Sequence, residues 1–147
     1  MGTSFDRKVF TIILIFSVLS LLVSIVIAVN KINSNSILEG FCTKLSNGQC
    51  DRVQNSIYSS ILGVDLTYFG IFTFLALSTL SFLQLRKDNA VRRKIVLYAC
   101  IGAGIFALWL LIIQMIVLKA YCIFCLVIDT SSLILLITSI VALVRKS

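Results

Sequence analysis

The sequence contains neither histidine nor proline, and only 13% of its 147 residues are charged. The lack of histidine excludes histidine acid–base chemistry and histidine metal ligands, which leaves cysteine and carboxylate as the candidate reactive groups. With so little charge, the chain has too little polar surface to solvate a compact globule of this size. Together with 59% apolar residues and a mean hydropathy of +1.07, this composition indicates a membrane protein.

Four apolar runs have the length of roughly 20 residues that a helix needs to cross the hydrocarbon core of a membrane. The first run is longer than the core of a signal peptide and lacks a convincing cleavage site, so we expect it to be retained. Short connections after the second run make the later helices antiparallel neighbours. The sequence therefore predicts an all-α bundle of four transmembrane helices in a single domain, 1–147, with spans at residues 9–29, 66–85, 95–118 and 120–144.

The net charge of +7 comes from short clusters of lysine and arginine between the apolar runs. These clusters do not form the basic stripe of a nucleic-acid-binding protein, so we expect no nucleic-acid partner. They precede the first span, fill the connection between the second and third spans, and follow the fourth. Because such residues accumulate on the cytoplasmic side, we predict a multi-pass protein with both termini in the cytoplasm. The segment 30–65 and the tight link at Lys119 then lie on the opposite side.

The extracytoplasmic segment 30–65 changes character along its length. Residues 30–40 are rich in Asn and Ser, which is typical of a solvated loop. After Cys50, apolar residues recur at helical spacing, with Asp51 as a plausible N-cap and Gly63 as a plausible stop. This pattern predicts an amphipathic half-helix that caps the mouth of the bundle. A plain interfacial anchor helix fits the same pattern equally well.

Four of the five cysteines map to this extracytoplasmic side. Cys42 and Cys50 are separated by seven residues and can close a short disulfide loop. Cys122 and Cys125 form a Cys-x-x-Cys motif where the fourth span begins, and a helix N-terminus favours the thiolate form of such a pair. A zinc site made of four thiolates is the alternative, but an oxidising compartment favours disulfides, so we expect no metal. Cys100 stands alone in the third span and is interpreted as a small buried apolar residue.

These cysteines and their neighbours resemble the vitamin K epoxide reductase family over nearly the whole chain. The resemblance rests on Cys42-x7-Cys50, Ser56, Tyr58, Gly63, Gly70 and Cys122-x-x-Cys125. It implies a four-helix bundle around a quinone, capped by a segment with a half-helix. It also implies that Cys42 accepts electrons from a thioredoxin-like partner, that Cys50 passes them to Cys122, and that Cys125 reduces the quinone. Ser56 matches a position that supports the redox pair or the quinone pocket.

Two carboxylates depart from the family pattern. Asp65 stands where microbial members usually have proline, and Asp129 stands where the animal enzymes have a tyrosine that contacts vitamin K, so their substrate preference is not carried over. An ionisable group within a span usually faces the bundle interior, and Asp129 follows Cys125 by one helical turn. We hypothesise that Asp129 donates a hydrogen bond or proton to the quinone oxygen. The alternative is a carboxylate wetted by solvent at headgroup depth.

The predicted function is that of a quinone-dependent thiol–disulfide oxidoreductase. Electrons would pass from a thioredoxin-like (DsbA-like) extracytoplasmic protein, acting in trans, through both cysteine pairs to menaquinone, ubiquinone or a vitamin K type quinone. The plasma membrane of a prokaryote is favoured over the endoplasmic reticulum. A vitamin K epoxide reductase working in the reductive sense, and a non-enzymatic membrane scaffold or small transporter with structural disulfides, remain alternatives. We expect the quinone ring to contact aromatic side chains, foremost Phe69 and Phe124, with Tyr68, Phe72, Phe106 and Trp109 as further candidates.

Overall fold

The computed structural model describes residues 4–33, 44, 57, 60–119 and 122–146. A π-helical segment, Ile113–Leu118, continues the third helix as far as Lys119, which has a left-handed φ of 47°. Four helices among the described residues are long and apolar enough to cross a membrane. The chain is thus an all-α, multi-pass membrane bundle, as the sequence predicted. The helices are α1 (Ser4–Ile32), α2 (Leu66–Arg86), α3 (Ala90–Ile112) and α4 (Ile123–Lys146).

The four helices pack as a closed ring in which α1 lies between α2 and α4. Helix α3 packs closely along α4, whereas α2 and α3 contact each other least among these neighbours. Gly104 allows the close approach of α3 to α4, because a Cβ atom at this position would overlap the side chain of Leu136 and lie 3.1 Å from the backbone oxygen of Ser132. Small residues at helix contacts are typical of membrane bundles, where backbones must come close to gain packing energy.

The apolar core lies mostly in the half of the bundle next to the α2–α3 connection. In this half the start of α1 and the end of α4 lie beside the start of α3. Many large apolar side chains face outward instead, including Phe72, which is 74% exposed, and an outward apolar surface of this extent fits a lipid environment. The buried core consists of Val9, Phe10, Ile13, Phe74, Leu77, Val96, Leu97, Cys100, Leu135 and Ala142.

The connection between α2 and α3 is closed by side-chain hydrogen bonds. The side-chain oxygen of Asn89 accepts hydrogen bonds from the backbone N–H groups of Val91 and Arg92, at 2.9 and 3.4 Å, and so caps the start of α3. The guanidinium of Arg92 donates back to the carbonyl oxygens of Leu83 and Lys87, each at 3.2 Å. These bonds satisfy backbone groups that a helix end would otherwise leave unpaired.

A short hairpin leads into α2. Its strands, β1 (Ser60–Ile61) and β2 (Val64–Asp65), are antiparallel. Leu62 and Gly63 connect them with φ values of 55° and 81°, and such left-handed pairs suit the twist of a two-residue hairpin turn. The prediction that a helix continues to a stop at Gly63 is wrong, because the apolar spacing at Ile61 belongs to a strand. The rest of the predicted half-helix lies outside the described residues.

Candidate active site

The Cys-x-x-Cys motif lies at the first turn of α4. This helix begins at Ile123, whereas the predicted span began at residue 120, and Cys122 therefore occupies the N-cap position. The backbone N–H of Leu126 donates to the carbonyl oxygen of Cys122 at 2.8 Å. The N–H of Cys125 donates to Sγ of Cys122 at 3.5 Å. A side chain that accepts from the third residue of a helix is the usual N-cap arrangement, with sulfur here in place of oxygen. The motif thus lies at the positive end of the α4 dipole.

The two cysteines of this motif have different surroundings. Cys122 is fully buried and packs against Leu118, Phe124 and Cys125. Cys125 is half-buried and borders a cavity inside the bundle. Within the described part of the chain, Cys125 is thus the cysteine of the pair that faces the cavity.

The cavity has a volume of about 450 Å³ and is lined by all four helices. This volume lies within the range of roughly 300–1,000 Å³ that is common for small-molecule sites. Two of its wall residues, Phe69 of α2 and Phe106 of α3, are 56% and 39% exposed, and they belong to the two neighbouring helices that contact each other least. The wall is mostly apolar and comprises Ser24, Ile27, Asp65, Leu66, Thr67, Phe69, Gly70, Thr73, Phe74, Ala99, Gly102, Ala103, Phe106, Ala107, Leu110, Ile113, Gln114, Leu118, Cys125, Ile128, Asp129 and Ser132.

Asp129 lies in this wall, one helical turn after Cys125. It is only 3% exposed, and its Oδ2 accepts a hydrogen bond of 3.0 Å from Nε2 of Gln114. Gln114 belongs to the π-helical segment at the end of α3 and is 5% exposed. This bond joins α3 to α4 beside the redox motif. The wetted-carboxylate alternative for Asp129 does not fit this degree of burial.

The predicted aromatic residues divide between the cavity and the rest of the bundle. Phe69 lines the cavity, and so does Phe106, whose ring centroid lies 5.6 Å from that of Trp109. Among the described wall residues Phe124 is absent, and its side chain packs against Cys122 instead. Phe124 is thus positioned to contact the redox motif rather than the cavity interior.

Three predicted site residues, Cys42, Cys50 and Ser56, lie outside the described residues. Their pairing and their roles therefore stay predictions. The part of the chain that the structure does describe contains no group of three or more potential metal ligands, although a site of four thiolates would need the two undescribed cysteines. Cys100 is fully buried in the apolar core, as its isolated position in the third span suggested.

Gln114 is a site residue that the sequence reasoning missed. The available signal was an amide inside an otherwise apolar span, close to the end that carries the Cys-x-x-Cys motif. Polar residues within spans usually face the bundle interior or a cavity, and this residue does both. Its pairing with Asp129 depends on which helices are neighbours, which the sequence does not state.

A comparison with known protein families agrees with this geometry. Residues 11–140 match the model of the vitamin K epoxide reductase family, whereas no curated protein matches the chain. Members of this family are oxidoreductases of thiols and quinones, and they interact with thioredoxin-like redox partners. Since the match covers most of the chain, including all five cysteines, the protein belongs to the vitamin K epoxide reductase family and is a membrane oxidoreductase.

Proposed function

We propose that this protein re-oxidises a thioredoxin-like extracytoplasmic protein and passes the electrons through two cysteine pairs to a membrane quinone. The observation that carries the proposal is the position of Cys125, at the first turn of α4 and in the wall of a cavity that all four helices line. A thiol in this position lies beside any ring that enters the cavity. The neighbouring Cys122 is the partner with which it forms a disulfide.

The cavity suits a quinone in size and in chemistry. Its apolar wall fits an aromatic ring, and its few polar groups, among them Asp129 and Gln114, can orient ring oxygens. An isoprenoid tail would pass from the cavity into the surrounding lipid between α2 and α3, the neighbouring helices that contact each other least. A quinone bound there supplies an acceptor for two electrons and two protons.

The two cysteines of the motif supply the electrons and protons that this reaction requires. When the thiols of Cys122 and Cys125 join in a disulfide, they release two electrons and two protons, which equals the requirement for one hydroquinone. The positive end of the α4 dipole stabilises the thiolate that leaves in each exchange, first that of Cys125 and then that of Cys122. The hydrogen bond from the Cys125 N–H to Sγ of Cys122 adds to this stabilisation.

The second pair, Cys42 and Cys50, completes the route. In the proposed relay the partner reduces the Cys42–Cys50 disulfide, and Cys50 then attacks Cys122 and frees Cys125. This sequence requires that Cys50 reach both Cys42 and Cys122, since a disulfide forms only when the two Cα atoms are within about 7 Å. The proposed orientation, with both termini in the cytoplasm, puts this exchange on the extracytoplasmic side, where thioredoxin-like oxidants of proteins act.

Asp129 is the proposed proton donor to the ring oxygen. Its carboxyl group lies in the cavity wall one turn from Cys125, and its recorded hydrogen-bond partner is the neutral amide of Gln114. In its protonated form this carboxyl group carries the O–H that a ring oxygen would accept.

The proposal is tested by combining the purified protein with a reduced thioredoxin-like protein and a short-chain quinone. We expect hydroquinone to form, measured by absorbance, in step with the appearance of the partner's disulfide. Cys125→Ala should abolish both, whereas Cys100→Ala, a substitution in the apolar core, should retain them. Equal rates for Cys125→Ala and the wild type, or no hydroquinone from the wild type, would contradict the proposal, and the second result would favour a structural role for the disulfides.

A further inference from the structure

The two ends of the Gln114 amide differ in their hydrogen bonding. Nε2 donates to Oδ2 of Asp129, while Oε1 is buried and has no hydrogen-bond partner within the described part of the chain. Because the donor end of the amide is bound to Oδ2 of Asp129, the acceptor end is turned away from that oxygen. Gln114 is one of the residues that line the cavity, so this buried oxygen lies next to the space that a bound molecule would occupy.

We propose that Oε1 of Gln114 accepts a hydrogen bond from a ring hydroxyl of the hydroquinone, so that the cavity binds hydroquinone more tightly than quinone. This inference rests on the proposed function. A quinone carries only carbonyl oxygens and has no donor to offer, whereas its hydroquinone has an O–H group at each of these positions. A wall that presents an unpaired acceptor therefore distinguishes the two oxidation states.

The energetic reason is the burial of Oε1. A buried acceptor without a partner is unfavourable, and a ligand that brings a donor removes this cost. Once Asp129 has given its proton to the ring, its carboxylate, hydrogen-bonded to the same amide, adds further acceptor oxygens to this part of the wall. The cavity thus offers an acceptor-rich patch within an otherwise apolar surface.

Tighter binding of the hydroquinone has a consequence for the direction of electron flow. By thermodynamic linkage, a site that prefers the reduced form makes the bound quinone a stronger oxidant. A preference of about tenfold corresponds to roughly 30 mV for a two-electron couple. Gln114 would therefore favour electron transfer from Cys125 to the ring over the reverse reaction.

Gln84 provides a matched control within the same chain. Its Oε1 is also buried without a recorded partner, its side chain is 5% exposed like that of Gln114, and its Nε2 donates to Asp88. Gln84 lies at the opposite end of the bundle and is not among the described wall residues of the cavity. A substitution at Gln84 reports the cost of losing a buried amide without touching the cavity.

The test is a binding measurement in the Cys125→Ala background, which prevents turnover. Menadione and its hydroquinone are titrated separately under anaerobic conditions, and the fluorescence of Trp109 is followed. Trp109 is the single tryptophan of the chain, and its ring lies 5.6 Å from that of Phe106 in the cavity wall. The variants are Gln114→Met and Gln84→Met, because methionine has a similar shape and volume without the amide.

We expect the unsubstituted background to bind the hydroquinone about tenfold more tightly than the quinone, and Gln114→Met to lose this preference. Gln84→Met should retain it. If Gln114→Met does not fold, as judged by its melting temperature, Gln114→Asn replaces it, since the shorter side chain withdraws the oxygen and should weaken the preference.

Two results would overturn the inference: equal affinity for the two forms without any substitution at Gln114, or an unchanged preference in the Gln114 variant. Failure of the background protein to bind either form would instead count against the proposed function itself.

Discussion

The backbone N–H of Cys125 points at the sulfur of Cys122, and the two atoms lie 3.5 Å apart. This contact exists because α4 begins immediately after Cys122, so that the sulfur takes the place of the oxygen in a serine N-cap. The helix thereby fixes the relative position of the two cysteines. It also orients Cys125 towards the cavity, where the proposed electron transfer occurs.

The proposed relay predicts a trapped intermediate. In Cys42→Ala, Cys50 can attack the Cys122–Cys125 disulfide, but the thiol that would resolve the resulting Cys50–Cys122 disulfide is missing, so we expect this disulfide to accumulate. Mass spectrometry of peptides from the non-reduced protein would identify it. With Cys122→Ala as the single substitution, this crosslink should not form and the Cys42–Cys50 disulfide should remain in place.

The matched control for the trapping experiment is Cys100→Ala, which leaves both redox pairs intact. This variant should give no such accumulation. Absence of the Cys50–Cys122 crosslink from Cys42→Ala would contradict the relay.

The close contact between α3 and α4 predicts that the free energy of unfolding depends strongly on the residue at position 104. A Cβ atom at Gly104 would overlap the side chain of Leu136, so Gly104→Ala should lower the free energy of unfolding by about 1–3 kcal/mol. Gly102→Ala is the control, because a Cβ atom there meets nothing within 4 Å. Alanine favours the helix at both positions by roughly 1 kcal/mol. Unfolding in detergent micelles would measure the stability of both variants. Equal stability of the two would exclude the close crossing of α3 and α4.

The proton role of Asp129 predicts a loss of rate when the carboxyl group is replaced by an amide. Asn at position 129 can still accept the hydrogen bond from Gln114, so the fold should be retained, while hydroquinone formation should fall by about a hundredfold. Asp88→Asn, at the other end of the bundle, should leave the rate unchanged. Rates would be measured between about pH 5 and pH 9. A wild-type rate for Asp129→Asn across this range would rule out the proton role.

The proposed orientation predicts opposite locations for the hairpin turn and the C-terminus. Alkaline phosphatase is active only outside the cytoplasm, so an insertion between Leu62 and Gly63 should be active. A fluorescent protein that folds only in the cytoplasm should fluoresce when it is attached after Ser147. The reverse pattern would place the Cys-x-x-Cys motif on the cytoplasmic side and would contradict the extracytoplasmic partner.

Much of the fold could be predicted because membrane spans are local features of the sequence. A run of about 20 apolar residues specifies a crossing helix whatever its neighbours are. The predicted second span began at Leu66, where α2 begins. The hairpin before α2 was missed because Ile57 and Ile61 have helical spacing by coincidence. The left-handed φ values of Leu62 and Gly63, which decide the turn, are only weakly indicated by a single glycine.

The sequence by itself determined the four spans, the placement of Cys122 and Cys125 at the start of the last one, and the position of Asp129 one turn later. Each of these follows from composition or from spacing along one helix. Only the tertiary structure decided that Gln114 pairs with Asp129, that Phe69 rather than Phe124 lines the cavity, and that α2 and α3 contact each other least among the neighbouring helices. The reason is physical: such contacts depend on the rotation of each helix about its axis and on its neighbours, which packing of the whole bundle sets.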